Sequence, residues 1–550
     1  MNPAIYYHPE AFTISGPKLM GRNAAGESFL RGFLKYSKQK EFWIQVMEQN
    51  HADDFAQKVY NSGQIKPIRV VKNDCLNAIS ESGLVFYPGP GLGEHAFNRS
   101  ISKGSWSICG ITHTTSSSRA MDSIVDLLIA PIQPWDALIC TSTAVKNNVE
   151  NLLQSQADYL KDRLGITKLV LPQFPVIPLG INTIDFNFSA EQKVLARDTL
   201  EISDNTLVVL FMGRLSFHAK AHPLAMYQAL ELAVQHTNKD VVLIECGWHA
   251  NQSIAKSFSD AARQACPSIR ILNLDGRKAD DRNLAWSCAD VFCSLVDNIQ
   301  ETFGIVPIEA MAAGLPVVVS DWDGYKDTVR DGIDGFLIPT LMPQEGLGLD
   351  LAHRHALKLD SYDIYCGLSC SLISVDIKAT KNAFIALFDS PDLRRRMGEA
   401  GRKRAKENFD WEKIILEYEK LWSDLNKVQK FSVKPMKPLF SSWPARLDPF
   451  YAFRKYPTNS LTPQTFLTLV ENDLDSSLKT IKLHQELSMV NFAKVILPTE
   501  SEILIVLNAG LRGPRKAIEF VEDISEDRQL FVLRSLVWLV KLGILAEVVS

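Results

Sequence analysis

Two glutamates with seven residues between them, Glu301 and Glu309, lie in the stretch "NIQETFGIVPIEAMAAGLPVVVSD", which runs from residue 298 to residue 321. An ionised carboxylate accepts charge-assisted hydrogen bonds on both oxygens, so it suits the paired hydroxyls of a sugar or a ribose. Carboxylates near the start of a helix also interact favourably with the helix dipole, and this explanation requires no ligand. It leaves the intervening Phe303 and Gly304 unexplained, so we interpret the two glutamates as ligand-binding carboxylates.

Two cations occur in a second stretch, "TLVVLFMGRLSFHAKAHPLAM", where Arg214 and Lys220 stand between an apolar run and an amphipathic helical pattern. An Arg and a Lys at a helix start are usually solvated surface residues, and alone they indicate little. Together with the two glutamates, they favour a binding site.

These side chains need elements that hold them in place. Short apolar runs of strand length alternate with stretches of helical period, which is the pattern of parallel sheets covered by helices. The predicted strands are, in the first half, "AIYYH", "PIRVV", "GLVFY", "SICGITH", "DALICTS" and "FPVIPLG", and in the second, "TLVVLFMG", "DVVLIECGW", "IRILNL", "DVFCSLV", "LPVVVSD" and "GFLIPT". The polar stretch 182–205 between the two sets predicts a hinge. We therefore predict an α/β fold of two Rossmann-like doubly wound domains facing a cleft, which is where a ligand is expected.

The predicted elements give the two glutamates a location. Glu301 falls in the loop after the strand "DVFCSLV", and Glu309 falls on the following helix, whose first turn tolerates Pro307. Both residues therefore lie at the carboxyl edge of a parallel sheet, the edge where such folds bind ligands.

The stretch "ETFGIVPIEAMAAGLPVVVSD" resembles the nucleotide-sugar signature of glycosyltransferase family 4, whose members are retaining enzymes with the GT-B fold. The resemblance implies that Glu301 binds hydroxyls of the donor hexose and Glu309 binds the ribose. It also implies that Arg214 and Lys220 clamp the diphosphate and neutralise the charge that grows on it as the glycosidic bond breaks. The donor-binding residues implied by the resemblance are Gly26, Gly213, Arg214, Lys220, Glu301, Thr302, Phe303, Gly304 and Glu309.

The first half adds two residues to this interpretation. "MGRNAAGESFLRGFLKY" follows the first strand, and the family places a glycine-bearing loop there beside the donor, so the resemblance favours Gly26. His113 ends the strand "WSICGITH" at the position of the family's active-site histidine. Catalytic roles are accordingly expected for His113, Arg214, Lys220 and Glu301. One departure is that Ala221 and His222 follow Lys220, where the family usually has glycine.

The resemblance covers about residues 1–425 and divides the chain into five segments. We predict an N-terminal acceptor-side domain at 1–188, a nucleotide-sugar-binding domain at 189–410, a crossover helix at 411–428, a linker at 429–459 and a helical or winged-helix-like module at 460–550. The module has no acidic or cysteine–histidine constellation. It is therefore expected to mediate interaction or support, with a membrane surface or a protein as its partner.

Composition excludes several classes of protein. The formal net charge of -4 does not indicate nucleic acid as a partner. No secretory leader and no apolar run of about 20 residues is apparent. The nine cysteines are scattered, without zinc-binding spacing, and read as core residues in a reducing cytoplasm.

The sequence therefore predicts a metal-independent retaining glycosyltransferase that needs no cofactor and moves a hexose-type sugar from a nucleotide diphosphate to an unidentified acceptor hydroxyl. Two alternatives stay open. One is a nucleotide-sugar epimerase of similar two-lobed shape, which would release free nucleotide and sugar. The other is a catalytically silent scaffold that binds nucleotide-sugar.

Overall fold

Each half of the first 443 residues is built on a six-stranded parallel sheet in the computed structural model, which describes residues 3–13, 21–102, 105–432 and 443–548. The strands of the first sheet are β1 (Ala4–Tyr6), β2 (Phe42–Val46), β3 (Ile68–Lys72), β4 (Leu84–Phe86), β5 (Ser107–Ile111) and β6 (Ala137–Ile139). Its helices are α1 (Gly21–Tyr36), α2 (Gln49–Asn61), α3 (Ile79–Ser82), α4 (Gly93–Ile101), α5 (Ser118–Val125) and α6 (Thr143–Leu164).

The second sheet contains β7 (Leu207–Leu215), β8 (Val241–His249), β9 (Arg270–Asp275), β10 (Val291–Ser294), β11 (Val317–Ser320) and β12 (Gly335–Ile338). The helices around it are α7 (Ala190–Thr199), α8 (Leu224–Thr237), α9 (Gln252–Ala265), α10 (Ala279–Cys288), α11 (Ile305–Ala312) and α12 (Tyr325–Thr328). After β12 come β13 (Thr340–Leu341), α13 (Leu349–Ala356), α14 (Tyr362–Cys370), β14 (Ser374–Val375), α15 (Ile377–Asp389), α16 (Pro391–Arg404) and α17 (Trp411–Phe431).

Both sheets have the same topology. The first has the order β3-β2-β1-β4-β5-β6, and the second, read from its β9 edge, has the order β9-β8-β7-β10-β11-β12. Each half therefore repeats the doubly wound order 3-2-1-4-5-6, in which the chain changes direction between the first and fourth strands. The predicted α/β fold of two doubly wound halves is confirmed.

The second sheet follows the sequence prediction strand by strand, whereas the first differs at two places. "FWIQV" forms the fully buried strand β2 and was not predicted, because the polar residues that precede it hide the short run. "FPVIPLG" was predicted as a strand but forms only one isolated bridge, Val176 with Cys140, and the preceding Gln173 forms another with Ala137. Pro175 and Pro178 lack the N–H that a continuous ladder needs.

Helix α17 begins at Trp411 and packs against the first half of the chain. The Trp411 indole donates a hydrogen bond to Ser28 Oγ at 2.7 Å, and its ring meets Phe29 edge-on. Gly32 of α1 makes this approach possible, because a Cβ atom there would lie 2.5 Å from the Trp411 ring. The helix thus continues the core of the first half.

Residues 444–548 form a separate unit with its own apolar core. Its helices are α18 (Pro449–Ala452), α19 (Leu474–Gln485), α20 (Ser488–Asn491), α21 (Glu500–Gly510) and α22 (Gln529–Lys541), and its strands are β15 (Phe466–Leu469), β16 (Arg515–Lys516) and β17 (Leu545–Glu547). The strands pair in an antiparallel sheet of order β16-β15-β17. The mainly helical character was predicted for 460–550, and within that segment residues 466–469 form a strand whose burial alternates with the period of two that a half-buried strand requires.

Within the described ranges, no helix combines the length and apolarity that a membrane span requires. Eight of the nine cysteines are buried, and all nine are free thiols.

Candidate nucleotide-sugar site

Two loops meet where the strand order of the second sheet reverses. Strands β7 and β10 are hydrogen-bonded neighbours at this point. We call residues 213–222, the end of β7 and the chain that follows it, the phosphate loop. We call residues 297–304, which follow β10, the carboxylate loop. Because parallel strands end at the same edge, the topology brings these loops together, with α11 next to them.

Arg214 is held on the phosphate loop by two acceptors. Its guanidinium donates to the carbonyl of Ala219 and, at 2.5 Å, to Gln300 Oε1 of the carboxylate loop. The preceding Gly213 has φ +148°, a conformation that side-chain-bearing residues rarely adopt. Gly213 therefore shapes the backbone that presents Arg214 and Lys220.

Lys220 and Glu301 form an ion pair across the two loops. The ammonium donates to Glu301 Oε2, and the two side chains are 20% and 13% exposed. Burial alone would raise the pKa of Glu301, but the neighbouring Lys220 outweighs this and lowers it. Glu301 is therefore an ionised acceptor, and the structure brings together the cation and carboxylate that the sequence singled out.

Glu309 lies on α11, in the middle of the helix. Burial raises the pKa of this carboxyl to about 7, and the positive charges of Arg282 and Lys220 only partly oppose the rise. Its carboxylate accepts no hydrogen bond in the described part of the chain. The two glutamates thus differ: Glu301 is paired with a cation, whereas none of the described residues donates a hydrogen bond to Glu309.

Thr302, Phe303 and Gly304 hold the carboxylate loop in position. The Thr302 hydroxyl donates to the carbonyl of His113 at 3.2 Å, and its own carbonyl accepts from Ser142 Oγ at 2.8 Å. Phe303 is 1% exposed and buries its ring in the core. Gly304 has φ +82°, and a Cβ atom there would lie 1.9 Å from the ring of Tyr325. The side chain of Phe303 therefore serves packing, while Thr302 joins the second half to the first.

His113 and Gly26, the two residues predicted in the first half, lie in different surroundings. His113 follows β5 and is half-buried, and its carbonyl contacts the carboxylate loop through Thr302. Gly26 does not lie in a loop before a helix, as the sequence suggested, because α1 already begins at Gly21. A Cβ atom at Gly26 would lie 2.0 Å from the carbonyl oxygen of Ala11, so this glycine lets α1 pack against the turn before it. Donor binding by His113 and Gly26 stays a prediction.

Sequence reasoning missed the residues that join the two loops. Asn298 donates from Nδ2 to the carbonyl of His218 at 3.0 Å, and Asp297 Oδ1 accepts from the backbone N–H of His222 at 3.2 Å. Burial raises the pKa of Asp297 to about 7. Both residues stand directly before the acidic signature, but their partners are about 80 positions away in sequence, so no local pattern identifies them.

Asp323 is a further carboxylate, and no pattern in the sequence singled it out. Burial and then the charge of Glu301 raise its pKa to about 8, and its Oδ1 lies 3.4 Å from Ser142 Oγ. Its backbone has φ +44°, an uncommon conformation for a residue other than glycine. The only available signal is that it follows the next strand of the sheet, β11, at the same edge.

The site therefore combines two cations, an ionised carboxylate and a second carboxyl of raised pKa at one sheet edge. Arg214 and Lys220 suit phosphate oxygens, whereas Glu301 and Glu309 suit hydroxyl donors. In the described part of the chain, no group of three His, Cys, Asp or Glu residues has the arrangement of a metal site.

Residues 193–345 match the family model described as glycosyl transferases group 1. The segment contains both loops and α11, so the part of the chain that carries the site is similar to glycosyl transferases group 1, which is consistent with the predicted family. A D-inositol 3-phosphate glycosyltransferase from Corynebacterium kroppenstedtii is 24% identical over 210 residues, which are 38% of this chain and 46% of that protein. A phosphatidyl-myo-inositol mannosyltransferase from Mycobacterium tuberculosis is 36% identical over 137 residues, which are 24% of this chain and 33% of that protein. The match thus spans less than half of the length of these relatives.

Anabaena Alr3699/HepE, solved in complex with UDP, has a similar structure. The similarity covers 77% of this chain and 100% of that chain, with a TM-score of 0.50 and 14% sequence identity. At this identity the likeness concerns the fold alone, and it supports the GT-B arrangement of two doubly wound halves.

Proposed function

We propose that this chain is a glycosyltransferase that moves a hexose from a nucleoside diphosphate sugar to an acceptor hydroxyl with retention of anomeric configuration. The observation that carries the proposal is the ion pair of Lys220 with Glu301 beside Arg214, at the edge where β7 and β10 end. It supplies cations for a diphosphate and a carboxylate for sugar hydroxyls within one site. The match of this segment to glycosyl transferases group 1 supports the same assignment.

The proposed chemistry assigns separate tasks to the cations and the carboxylates. Breaking the bond between the sugar and the diphosphate leaves negative charge on phosphate oxygens, which Arg214 and Lys220 would stabilise. Glu301 would accept hydrogen bonds from the hexose, and Glu309 from the ribose. The proposed reaction needs no resident metal or cofactor, because these two cations supply positive charge at the leaving group. Retention and a front-face reaction, in which the donor phosphate helps to deprotonate the acceptor, are what the family resemblance implies.

The relatives suggest which compounds to test first. HepE was solved with UDP, and one relative is named as a mannosyltransferase, so UDP-glucose and GDP-mannose are suitable first donors. The two curated relatives are named after inositol-containing compounds, which are less suitable as first acceptors for this chain. The match to the family model covers the second half of the chain, whereas the acceptor is expected to bind the first half. We also propose that the chain works in a reducing cytoplasm, which the free thiols support.

Nucleotide binding and turnover test the proposal in two steps. Binding stabilises a folded protein by mass action, so UDP, GDP or ADP at a hundred times its Kd should add about 2.7 kcal/mol to the free energy of unfolding. A donor whose nucleotide binds should then be hydrolysed slowly without acceptor, and faster with a suitable acceptor. Binding of a nucleotide without any turnover would favour a silent scaffold, and epimerised free sugar as the product would favour an epimerase. If no nucleotide raises the melting temperature, the proposed site is wrong.

A further inference from the structure

A helix pair, α13 with α14, is inserted between β12 and α15, where a simple connection would suffice. The short strands β13 and β14 pair antiparallel and close the base of this insertion. The match to the family model ends at residue 345, before α13 begins at residue 349. The helix pair is therefore a feature of this chain that the family match does not explain.

Helix α14 packs on the phosphate loop. Gly367 makes the contact close, because a Cβ atom there would lie 2.8 Å from the Cβ of His218. The thiol of Cys370 lies 3.6 Å from the carbonyl oxygen of Phe217, with the geometry of a weak hydrogen bond. Cys366 and Cys370 are both buried in this contact. A displacement of α14 would therefore displace the loop that carries Arg214 and Lys220.

The same helix pair also reaches the first half of the chain, at the loop that follows β5. The Tyr362 hydroxyl lies 2.9 Å from Ser116 Oγ and 3.4 Å from Thr114 Oγ1. His355 of α13 lies with Nε2 2.8 Å from Ser118 Oγ. This loop begins at His113, which the sequence placed beside the transferred sugar. The helix pair thus bridges the two halves directly next to the candidate site.

Gln300 connects this bridge to the phosphate loop. Burial raises the pKa of Tyr362, and the neighbouring side chains of Ser116, Thr114 and Gln300 partly offset that rise. Gln300 in turn accepts the hydrogen bond from the Arg214 guanidinium. Polar side chains therefore lie between the loop after β5 and the cation expected to hold the diphosphate: Tyr362 contacts Ser116, and Gln300, close to the Tyr362 hydroxyl, accepts from Arg214.

We propose that Tyr362 is a positioning residue of the donor site, which closes the cleft through Ser116 and holds Arg214 in place through Gln300. The proposal rests on the function proposed above, because it assigns Arg214 to the diphosphate. Tyr362 acts through these neighbours and need not touch the donor. The helix pair then does two things at once: it joins the halves, and it fixes the cation that the donor requires.

Removing only the hydroxyl tests this role. Tyr362→Phe keeps the ring, and Ser116→Ala removes its partner in the first half. The matched control is Tyr365→Phe, on the same helix, because the Tyr365 hydroxyl makes no hydrogen bond in the described part of the chain. Each variant of the full chain is titrated with UDP and, in parallel, with GDP by calorimetry, and the melting temperature of the free protein is measured.

Tyr362→Phe and Ser116→Ala should each weaken binding of whichever nucleotide the wild type binds by about two- to tenfold, the effect of one lost hydrogen bond. The double variant should bind no more weakly than the worse single variant, since both changes remove one shared interaction. A role in folding alone would lower the melting temperature without this coupling. Equal nucleotide affinity in Tyr362→Phe, Tyr365→Phe and the wild type would overturn the proposal while leaving the proposed function intact.

If the wild type binds neither nucleotide, hydrogen exchange of the free protein tests the role of Tyr362 separately from the proposed function. The proposed function would then have failed, but the bridge is still tested by amide exchange over residues 113–118 and 362–370. Faster exchange there in Tyr362→Phe than in Tyr365→Phe supports Tyr362 as the residue that holds the cleft closed. The same exchange rate in both variants overturns it.

Discussion

At the scale of single residues, the pKa values of the two glutamates of the candidate site are shifted in opposite directions. Lys220 keeps Glu301 ionised, whereas burial raises the pKa of Glu309 to about 7. A carboxyl whose pKa is raised by folding contributes stability that is lost as the pH rises through the folded value. A ribose that donates hydrogen bonds to ionised Glu309 would offset this cost, so the strain at Glu309 favours ligand binding.

The raised pKa of Glu309 predicts a pH dependence of donor binding. Only the ionised carboxylate accepts hydrogen bonds on both oxygens, so UDP-glucose should bind about tenfold more weakly at pH 6 than at pH 8. UDP-glucose is the better probe, because the terminal phosphate of UDP itself titrates near pH 6. Calorimetry over this range measures the effect.

Glu309→Gln is the control for that titration, since a glutamine does not ionise. Asp297 and Asp323 also have raised pKa values, of about 7 and about 8, and their contribution remains in this variant. The pH dependence should therefore become flatter in Glu309→Gln. An unchanged slope would show that another group controls binding.

Lys220→Ala should reduce turnover by about 10²-fold or more, because one stabiliser of the developing phosphate charge is lost. The change also leaves Glu301 without its cation, so burial would then raise the pKa of that carboxyl. Lys193→Ala is a matched control, since Lys193 belongs to neither loop. Its Nζ lies 2.7 Å from Asp290 Oδ1 in an ion pair. Steady-state rates at saturating donor compare the variants. Equal rates for both would remove Lys220 from the diphosphate site.

The sequence identified candidate site residues by their type and missed those whose role depends on their position in the fold. Glu301, Glu309 and Lys220 stand out because their charges occur at a recognisable spacing. Asn298 and Gln300 act through partners on the phosphate loop, and Tyr362 through a partner in the other half of the chain. Such contacts depend on how distant segments fold against each other, and the spacing of residues along the sequence does not encode that arrangement.

At the scale of elements, the second sheet was predictable because its strands are buried on both faces. Runs such as "VVVS" in β11 are continuously apolar, which is the pattern of a parallel strand between helices. Turns and short strands were less predictable, because β2 contains a buried glutamine and two prolines interrupt the apolar run after β6. The sequence did not single out the helix pair of α13 and α14, since α13 has no buried residue and α14 buries only Cys366, Gly367 and Cys370.

The docking of α17 on α1 gives a prediction at this scale. Gly32→Ala should lower the free energy of unfolding by about 1–3 kcal/mol, because the new methyl group would overlap the buried Trp411 ring. Gly21→Ala, in the same helix, meets no atom of the described residues within 4 Å and should be neutral or slightly stabilising. Denaturant unfolding measures both. A Gly32→Ala variant as stable as the wild type would mean that α17 does not pack as closely as the structure shows.

At the scale of the whole molecule, residues 1–443 and 444–550 are separate compact units. Every residue assigned to the candidate site lies in the first unit. The second unit has its own core, formed around Phe520, Leu507 and Leu536, and its role as an interaction module stays a prediction.

Each unit should keep its fold when it is produced without the other. A fragment of residues 1–443 should bind UDP or GDP with the affinity of the full chain, because every residue assigned to the site lies in the first unit. A fragment of residues 444–550 should unfold in one cooperative transition, as expected for a small domain with a single core. Calorimetry and thermal unfolding test the two fragments. Loss of nucleotide binding in a folded 1–443 fragment would show that the second unit contributes to the site.

The claim that the two glutamates bind different parts of one donor is tested most directly by titration calorimetry with a nucleoside diphosphate and its sugar derivative, here UDP and UDP-glucose. Glu309→Gln should weaken both ligands by about ten- to a hundredfold, since both contain the ribose and a charge-assisted bond is worth about 1.5–3 kcal/mol. Glu301→Gln should leave UDP affinity nearly unchanged and weaken UDP-glucose by a similar factor. Equal losses for both ligands in both variants would contradict this division and would mean that the glutamates only hold the loop and the helix in place.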